Sequence, residues 1–230
     1  MDAHTATNMG TPIMPPDAKL LTLVQWLSPS FPVGAFAYSH GLEAAVDAGW
    51  VQDGAALAEW LRNVLAFGSG RTDAIWLRLA HAAADADADA LVALNELASA
   101  YAPALSRRDE AERQGRAFVQ TVRGVWAFDL PSMQLPLAVG AATARAEIDV
   151  DTAAQLYLHA FVSNLMSAAQ RLLPLGQMQA QRLLAELQHD VLACAQCSRG
   201  ATLADVSNTA FLSDIAAMRH ETLEPRIFQS

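Results

Sequence analysis

Gly176-Gln177-Met178-Gln179-Ala180-Gln181-Arg182-Leu183-Leu184-Ala185-Glu186-Leu187-Gln188-His189-Asp190-Val191 is the stretch on which the fold class turns. Ala180, Leu183, Leu184, Leu187 and Val191 recur at spacings of three and four and make one apolar stripe, with Gln179, Gln181, Arg182 and Glu186 lying off it. Only an amphipathic helix with one face on a core has that period. The same spacing runs outward in both directions. Upstream it predicts helices through Leu20, Leu21, Val24 and Leu27, through Leu42 and Val46 to a stop at Gly49, and over residues 55–67, 72–84, 90–101, 108–125, 134–146 and 152–173. The quoted stretch extends to a helix over 176–197, and a last one covers 202–218. Gly68, Gly70, Pro103, Pro131, Pro174 and Gly200 punctuate them, as residues that stop helices should. No period-2 run of useful length and no fixed repeat interrupts the pattern. The expected fold is all-α: a single-domain helical bundle of about nine to ten helices over residues 18–230, after a disordered leader at 1–17 that mixes Thr, Asn, Gly and Pro without periodicity.

Composition agrees and narrows the function. With 230 residues, 53% of them hydrophobic, the chain can fill one sizeable core, and only 7% are aromatic, so helix formers outnumber strand formers. A net charge of −9 opposes binding to nucleic acid or anionic lipid, which need Lys and Arg against phosphate. Lys19 is the sole lysine and sits outside any glycine-rich loop, which removes P-loop nucleotide hydrolysis and Schiff-base catalysis. Cys194 and Cys197, three apart in a helical stretch, make a poor disulfide, and with no signal peptide and no run of about 18 uncharged apolar residues the expectation is a soluble, cytoplasmic chain.

A catalytic or metal site finds little support. The six histidines, His4, His40, His81, His159, His189 and His220, do not form a zinc-protease pair. His189, Cys194 and Cys197 gather soft ligands, but on a continuous helix they point in different directions, and the plainer reading is two small thiols packed on a helix. No G-x-S-x-G nucleophile elbow occurs. No catalytic residue, metal ligand or cofactor is therefore assigned. The competing reading is an all-α metal-binding protein or metal-dependent hydrolase with its site in the bundle core, which would need Glu-x-x-His on two facing helices.

Two segments are not explained by core packing. Ser28-Pro29-Ser30-Phe31-Pro32-Val33-Gly34-Ala35-Phe36-Ala37-Tyr38-Ser39-His40-Gly41-Leu42-Glu43 crowds two prolines, two glycines and three aromatics into a short span, partly as an inter-helix turn whose aromatics plug the core. The terminus, Met218-Arg219-His220-Glu221-Thr222-Leu223-Glu224-Pro225-Arg226-Ile227-Phe228-Gln229-Ser230, is dense in charge with apolar residues interleaved, the make-up of a polar-rimmed contact. Between them stands Phe161-Val162-Ser163-Asn164-Leu165-Met166-Ser167-Ala168-Ala169-Gln170-Arg171-Leu172-Leu173-Pro174-Leu175-Gly176-Gln177.

These three segments, in this order, resemble the hallmark motifs of the urease accessory protein F family: P-x-G-x-F/Y-x-x-S-x-G-L-E, S-N-L-V-S-A-A-x-R-L-x-P-L-G-Q and M-R-H-E…R-x-F. The likeness spans residues 20–230, with Gln134 where the family often carries a His. It implies a non-catalytic, all-α scaffold of urease maturation that dimerises. With a second accessory protein, D or H, such a scaffold recruits the GTPase accessory protein G to apo-urease for nickel insertion. Partner contacts are expected from Phe36, Tyr38, Ser39 and Glu43 of the first motif and Arg219, His220, Glu221, Arg226 and Phe228 of the last.

Overall fold

Helix boundaries follow local chemistry. Asp53 and Asp149 each precede an apolar-periodic stretch, and each accepts a bond from a backbone amide three residues on, Ala56 at 2.9 Å and Thr152 at 2.7 Å, which satisfies an otherwise orphaned donor of the first turn. The computed structural model describes residues 16–84 and 88–230. Among them run α1 (Pro16–Trp26), α2 (Leu42–Asp47), α3 (Gly54–Phe67), α4 (Ser69–Ala83), α5 (Ala88–Ala100), α6 (Leu105–Trp126), α7 (Leu135–Arg145), α8 (Val150–Leu172), α9 (Gln177–Glu186), α10 (Gln188–Cys197) and α11 (Phe211–His220). Short 3-10 turns sit at Ala35–Ala37 and Leu203–Asp205, and no strand occurs among the described residues. The all-α expectation holds, and among the described residues no helix is long and apolar enough to cross a membrane.

Several boundaries differ from the sequence reading: α4 starts at Ser69 rather than 72, so Gly70, expected as a breaker, lies inside it, and α6 starts at Leu105 rather than 108. The leader was expected through residue 17, yet α1 starts at Pro16; the rest of that leader lies outside the described residues, as do residues 85–87 of the Asp/Ala run. The helix expected over 176–197 is two, bent at Leu187, which is fully buried. No glycine or proline forces the bend; packing does, because α9 lies on α3 and α8 whereas α10 turns onto α3, α4 and α8. The helix expected over 202–218 begins only at Phe211. Thr202 and Asp205 close a capping box around the 3-10 turn, Asn208 accepts from the amide of Ala210 at 3.0 Å, and the amide of Thr209 donates to Phe67 O at 2.8 Å. Side chains of this kind offer the backbone an alternative to helix.

The core runs through every layer. α7 is buried on all sides from Pro136 to Thr143, and α4 lies directly along it. Gly140 makes that approach possible: a Cβ there would stand 2.1 Å from Leu77 O. α6 flanks α7, α8 crosses both α4 and α7, and α3, α9 and α10 close the far side. Trp26 meets Phe118, Trp126 and Phe128 edge-on at centroid distances of 5.7, 5.5 and 6.3 Å, and Phe31 from the first motif joins Phe118 at 5.4 Å. Phe31 is thus the core plug. α2 and α11 pair at one end, over α8 and α6.

Candidate functional site

The site lies at that end. Backbone conformation sets it up: Gly34, His40 and Gly41 have φ of 72°, 62° and 77°, left-handed values that turn the chain sharply on either side of Tyr38 and Ser39. At Gly41 only glycine fits, because a Cβ would lie 2.7 Å from the amide nitrogen of Ala217 on α11. The first motif is thereby pressed onto the helix that begins the last motif.

From α11 the chain folds back and is held by two buried carboxylates. Glu43 Oε1 accepts from the amide of Ile227 at 2.6 Å, and Glu43 Oε2 from the amide of Phe228 at 3.0 Å and from His220 Nε2 at 2.9 Å. Burial works against the Glu43 anion, but His220 and the two amides outweigh it and hold its pKa below the ordinary value. The His220 ring is fully buried and its Nδ1 has no hydrogen-bond partner among the described residues. Main-chain bonds extend the grip: Gln229 N donates to Ala37 O at 2.8 Å, and Ser39 donates to Ser230 O through both its amide, at 2.8 Å, and its hydroxyl, at 2.6 Å.

Glu110 of α6 is the second anchor. It receives Arg107, the Ser230 hydroxyl, Gln114 Nε2 at 3.2 Å and His40 Nδ1 at 3.1 Å. Burial opposes its charge, yet Arg107 and His40 hold its carboxyl far below the usual range. For His40, burial first and Arg107 second push the pKa down to about 4. At neutral pH Glu110 is therefore an anion, and a carboxylate can only accept, so His40 carries its proton on Nδ1 and takes the Ser69 hydroxyl, 3.2 Å away, on Nε2.

The middle motif completes the assembly from α8. Asn164 Nδ2 donates to Ala35 O at 3.0 Å, and Arg171 donates to Phe36 O at 3.2 Å while its guanidinium stacks over the Phe228 ring at 4.3 Å. All three quoted segments thus meet at one place. The nine residues named from the resemblance divide into two groups. Tyr38, Ser39, Glu43, His220 and Phe228 are buried, and most of them hold the tail. Phe36, Arg219, Glu221 and Arg226 are exposed. Phe36 is 72% exposed, Arg219 stacks over Trp50 at 4.8 Å, and Glu221 accepts from the amide of Ser106 at 2.9 Å. Arg226 has neither hydrogen bond nor ion pair among the described residues, and Ile227 beside it is 59% exposed.

Sequence reasoning gave no role to Glu110, Arg107, Asn164 or Arg171. Glu110 carried a signal, since Gln114, Phe118 and Val122 follow it at spacings of four on the buried face of α6. Elsewhere, Cys194 is buried and donates to Leu65 O at 3.1 Å, burial and neighbouring Cys197 push its thiol up to about 12, and Cys197 is exposed. Gln134 is spent on Asn95 and Ser99. Glu186 and His189 form the single Glu-x-x-His of the chain, both on the exposed side of the α9–α10 bend and without a facing counterpart. No group of three or more His, Cys, Asp or Glu among the described residues is placed to hold a metal ion.

The chain is of the all-α class, with polar residues that lock its tail against a turn and with aromatic, arginine and isoleucine side chains left outside. Comparison with known proteins narrows that class to a family. The family model UreF matches residues 51–188. The urease accessory protein UreF of Cereibacter sphaeroides is 50% identical over 213 residues, covering 93% of this chain and 99% of the relative. The proteins of that name from Rhodopseudomonas palustris and Ruegeria pomeroyi are 42% and 41% identical, covering 93% and 94% of this chain and 92% and 99% of those relatives. The chain belongs to the UreF family: it is a urease accessory protein and not an enzyme.

Proposed function

We propose that this protein is a non-catalytic scaffold of urease maturation which, together with the D/H accessory protein, recruits the GTPase accessory protein G to apo-urease for nickel insertion. In this reading it works in the cytoplasm and as a homodimer within the complex. The observation that carries it is Arg226. Its five-donor guanidinium is unspent, although Glu221 and Glu224 stand close in sequence, and it is mounted on a tail that two buried carboxylates fix in place. A free arginine on a rigid support, with Ile227 and Phe36 exposed on adjoining segments to exclude water, has the make-up of an interface hot spot.

The experiment is a binding titration of parent and Arg226→Ala, each in complex with the D/H accessory protein, against the GTPase. The variant should keep its helicity and thermal midpoint and bind at least about tenfold more weakly, which is about 1.4 kcal/mol. Equal affinities would remove Arg226 from the interface.

A further inference from the structure

Phe36 lies on a three-residue 3-10 turn whose N-cap, Gly34, has nothing within 4 Å of the place a Cβ would occupy, and Phe36 itself is mostly exposed. The turn is nevertheless held from α8. Asn164 and Arg171 are seven residues apart, two helical turns, and therefore share a face. Asn164 reaches Ala35 O and Arg171 reaches Phe36 O, so successive carbonyls of the turn are taken by α8. The next carbonyl, Ala37 O, is taken by the tail through Gln229 N. Arg171 then spans the two segments, because the same guanidinium that donates to the turn lies over the Phe228 ring of the tail at 4.3 Å.

We infer that Asn164 and Arg171 are positioning residues: they lock the Phe36 turn and the C-terminal tail to each other and to α8, so that Phe36, Arg226 and Ile227 meet a protein partner as one rigid surface. Arg171 needs no contact with the partner for this. Arginine is the suitable residue, since it donates within a plane and stacks with that plane on an aromatic ring, whereas lysine can supply the donor without the stack. Preorganisation of this kind raises affinity by removing the ordering cost from the binding step.

The inference rests on the proposed surface being the one a partner uses, and the test separates the two. In the full chain without any partner, Arg171→Ala and Asn164→Ala should each speed hydrogen exchange at the Gln229 and Ser39 amides at least tenfold. Exchange in α4 and α7 and the thermal midpoint should stay unchanged. Arg171→Lys should fall between parent and Arg171→Ala. In the partner titration, Arg171→Ala should weaken binding at least fivefold in the parent background and by less than twofold when Phe36→Ala is already present, because residues acting through one another are non-additive. Unchanged exchange at both amides in both alanine variants would overturn the inference. So would a fall in thermal midpoint shared by Arg171→Ala and Arg171→Lys, which would make Arg171 part of the fold. Faster exchange with no partner binding even by the parent would uphold the positioning role while removing the proposed function.

Discussion

Replacing Glu43 by Gln asks how much of the tail's order rests on one buried charge. The carboxylate takes three donors: the Ile227 amide on Oε1, and the Phe228 amide and His220 on Oε2. Hydrogen bonds to a charged group contribute about 1.5–3 kcal/mol each, roughly twice a neutral one. A glutamine keeps one acceptor oxygen and puts an NH₂ where the other stood. Turned one way it faces the Ile227 amide, and turned the other way it faces both Phe228 and His220, so at least one buried donor is orphaned and the surviving bonds fall to neutral strength. The loss works out at about 2–4 kcal/mol of tail docking, and at 1.36 kcal/mol per decade the tail should open about 30 to 1,000 times more often. The assay is hydrogen exchange of the C-terminal segment. The Gln229 amide is the informative one: its acceptor, Ala37 O, is untouched by the substitution, so it should accelerate together with Ile227 and Phe228 only if the tail opens as a unit. Protection within threefold of the parent at all three amides would refute the anchoring role.

Three further outcomes are expected. Gly140→Ala places a methyl 2.1 Å from a backbone oxygen of α4, which cannot rotate away, and should cost about 3 kcal/mol or more and lower the thermal midpoint by roughly 6–12 °C, read by calorimetry. For pH, buried His40 and half-buried Asp73 oppose one another. His40, lowered from 6.5 to about 4, contributes stability that is complete above 6.5 and lost as pH falls toward 4; Asp73, which burial raises from 3.8 to about 6 against the Tyr157 hydroxyl 2.8 Å away, contributes stability that is complete below 3.8 and lost as pH rises through 6. Asp73→Asn removes only the second, so the stability of the variant relative to the parent should improve by about 2–3 kcal/mol between pH 4 and 7, and a difference independent of pH in urea titrations would contradict it. Finally, a preparation free of the GTPase partner should turn over no GTP, and hydrolysis by the purified chain would defeat the scaffold reading.

Much of the fold was legible because helical periodicity is a local property. The stripe from Ala180 to Val191 does face inward, with Ala180 and Leu187 fully buried. What the pattern could not carry was where a helix bends with no breaker, as at Leu187, or where Thr, Asp and Asn compete for backbone bonds, as between Thr202 and Ala210. Of the site, the segments were visible and their meeting was not. Glu43 and Phe228 lie 185 residues apart in the chain, and Glu110 and Ser230 lie 120 apart. Nor did composition reveal which way each side chain points: Phe31, Phe36 and Tyr38 read as one aromatic group, yet Phe36 alone of the three is turned outward.

The anchors of the site are side chains, but what they hold is largely main chain: the carbonyls of Ala35 and Phe36 and the amides of Ile227 and Phe228. A carbonyl or amide is the same group whatever residue bears it. At these main-chain targets of Asn164, Arg171 and Glu43 no substitution alters the partner group except proline at an amide, and only the Glu43–His220 bond and the Arg171–Phe228 stack leave a side chain opposite an anchor that could change with it. Paired substitutions between these segments, the usual statistical trace of spatial contact, should accordingly be sparse at this junction, and a contact map inferred from covarying positions would be faintest where the three motifs meet.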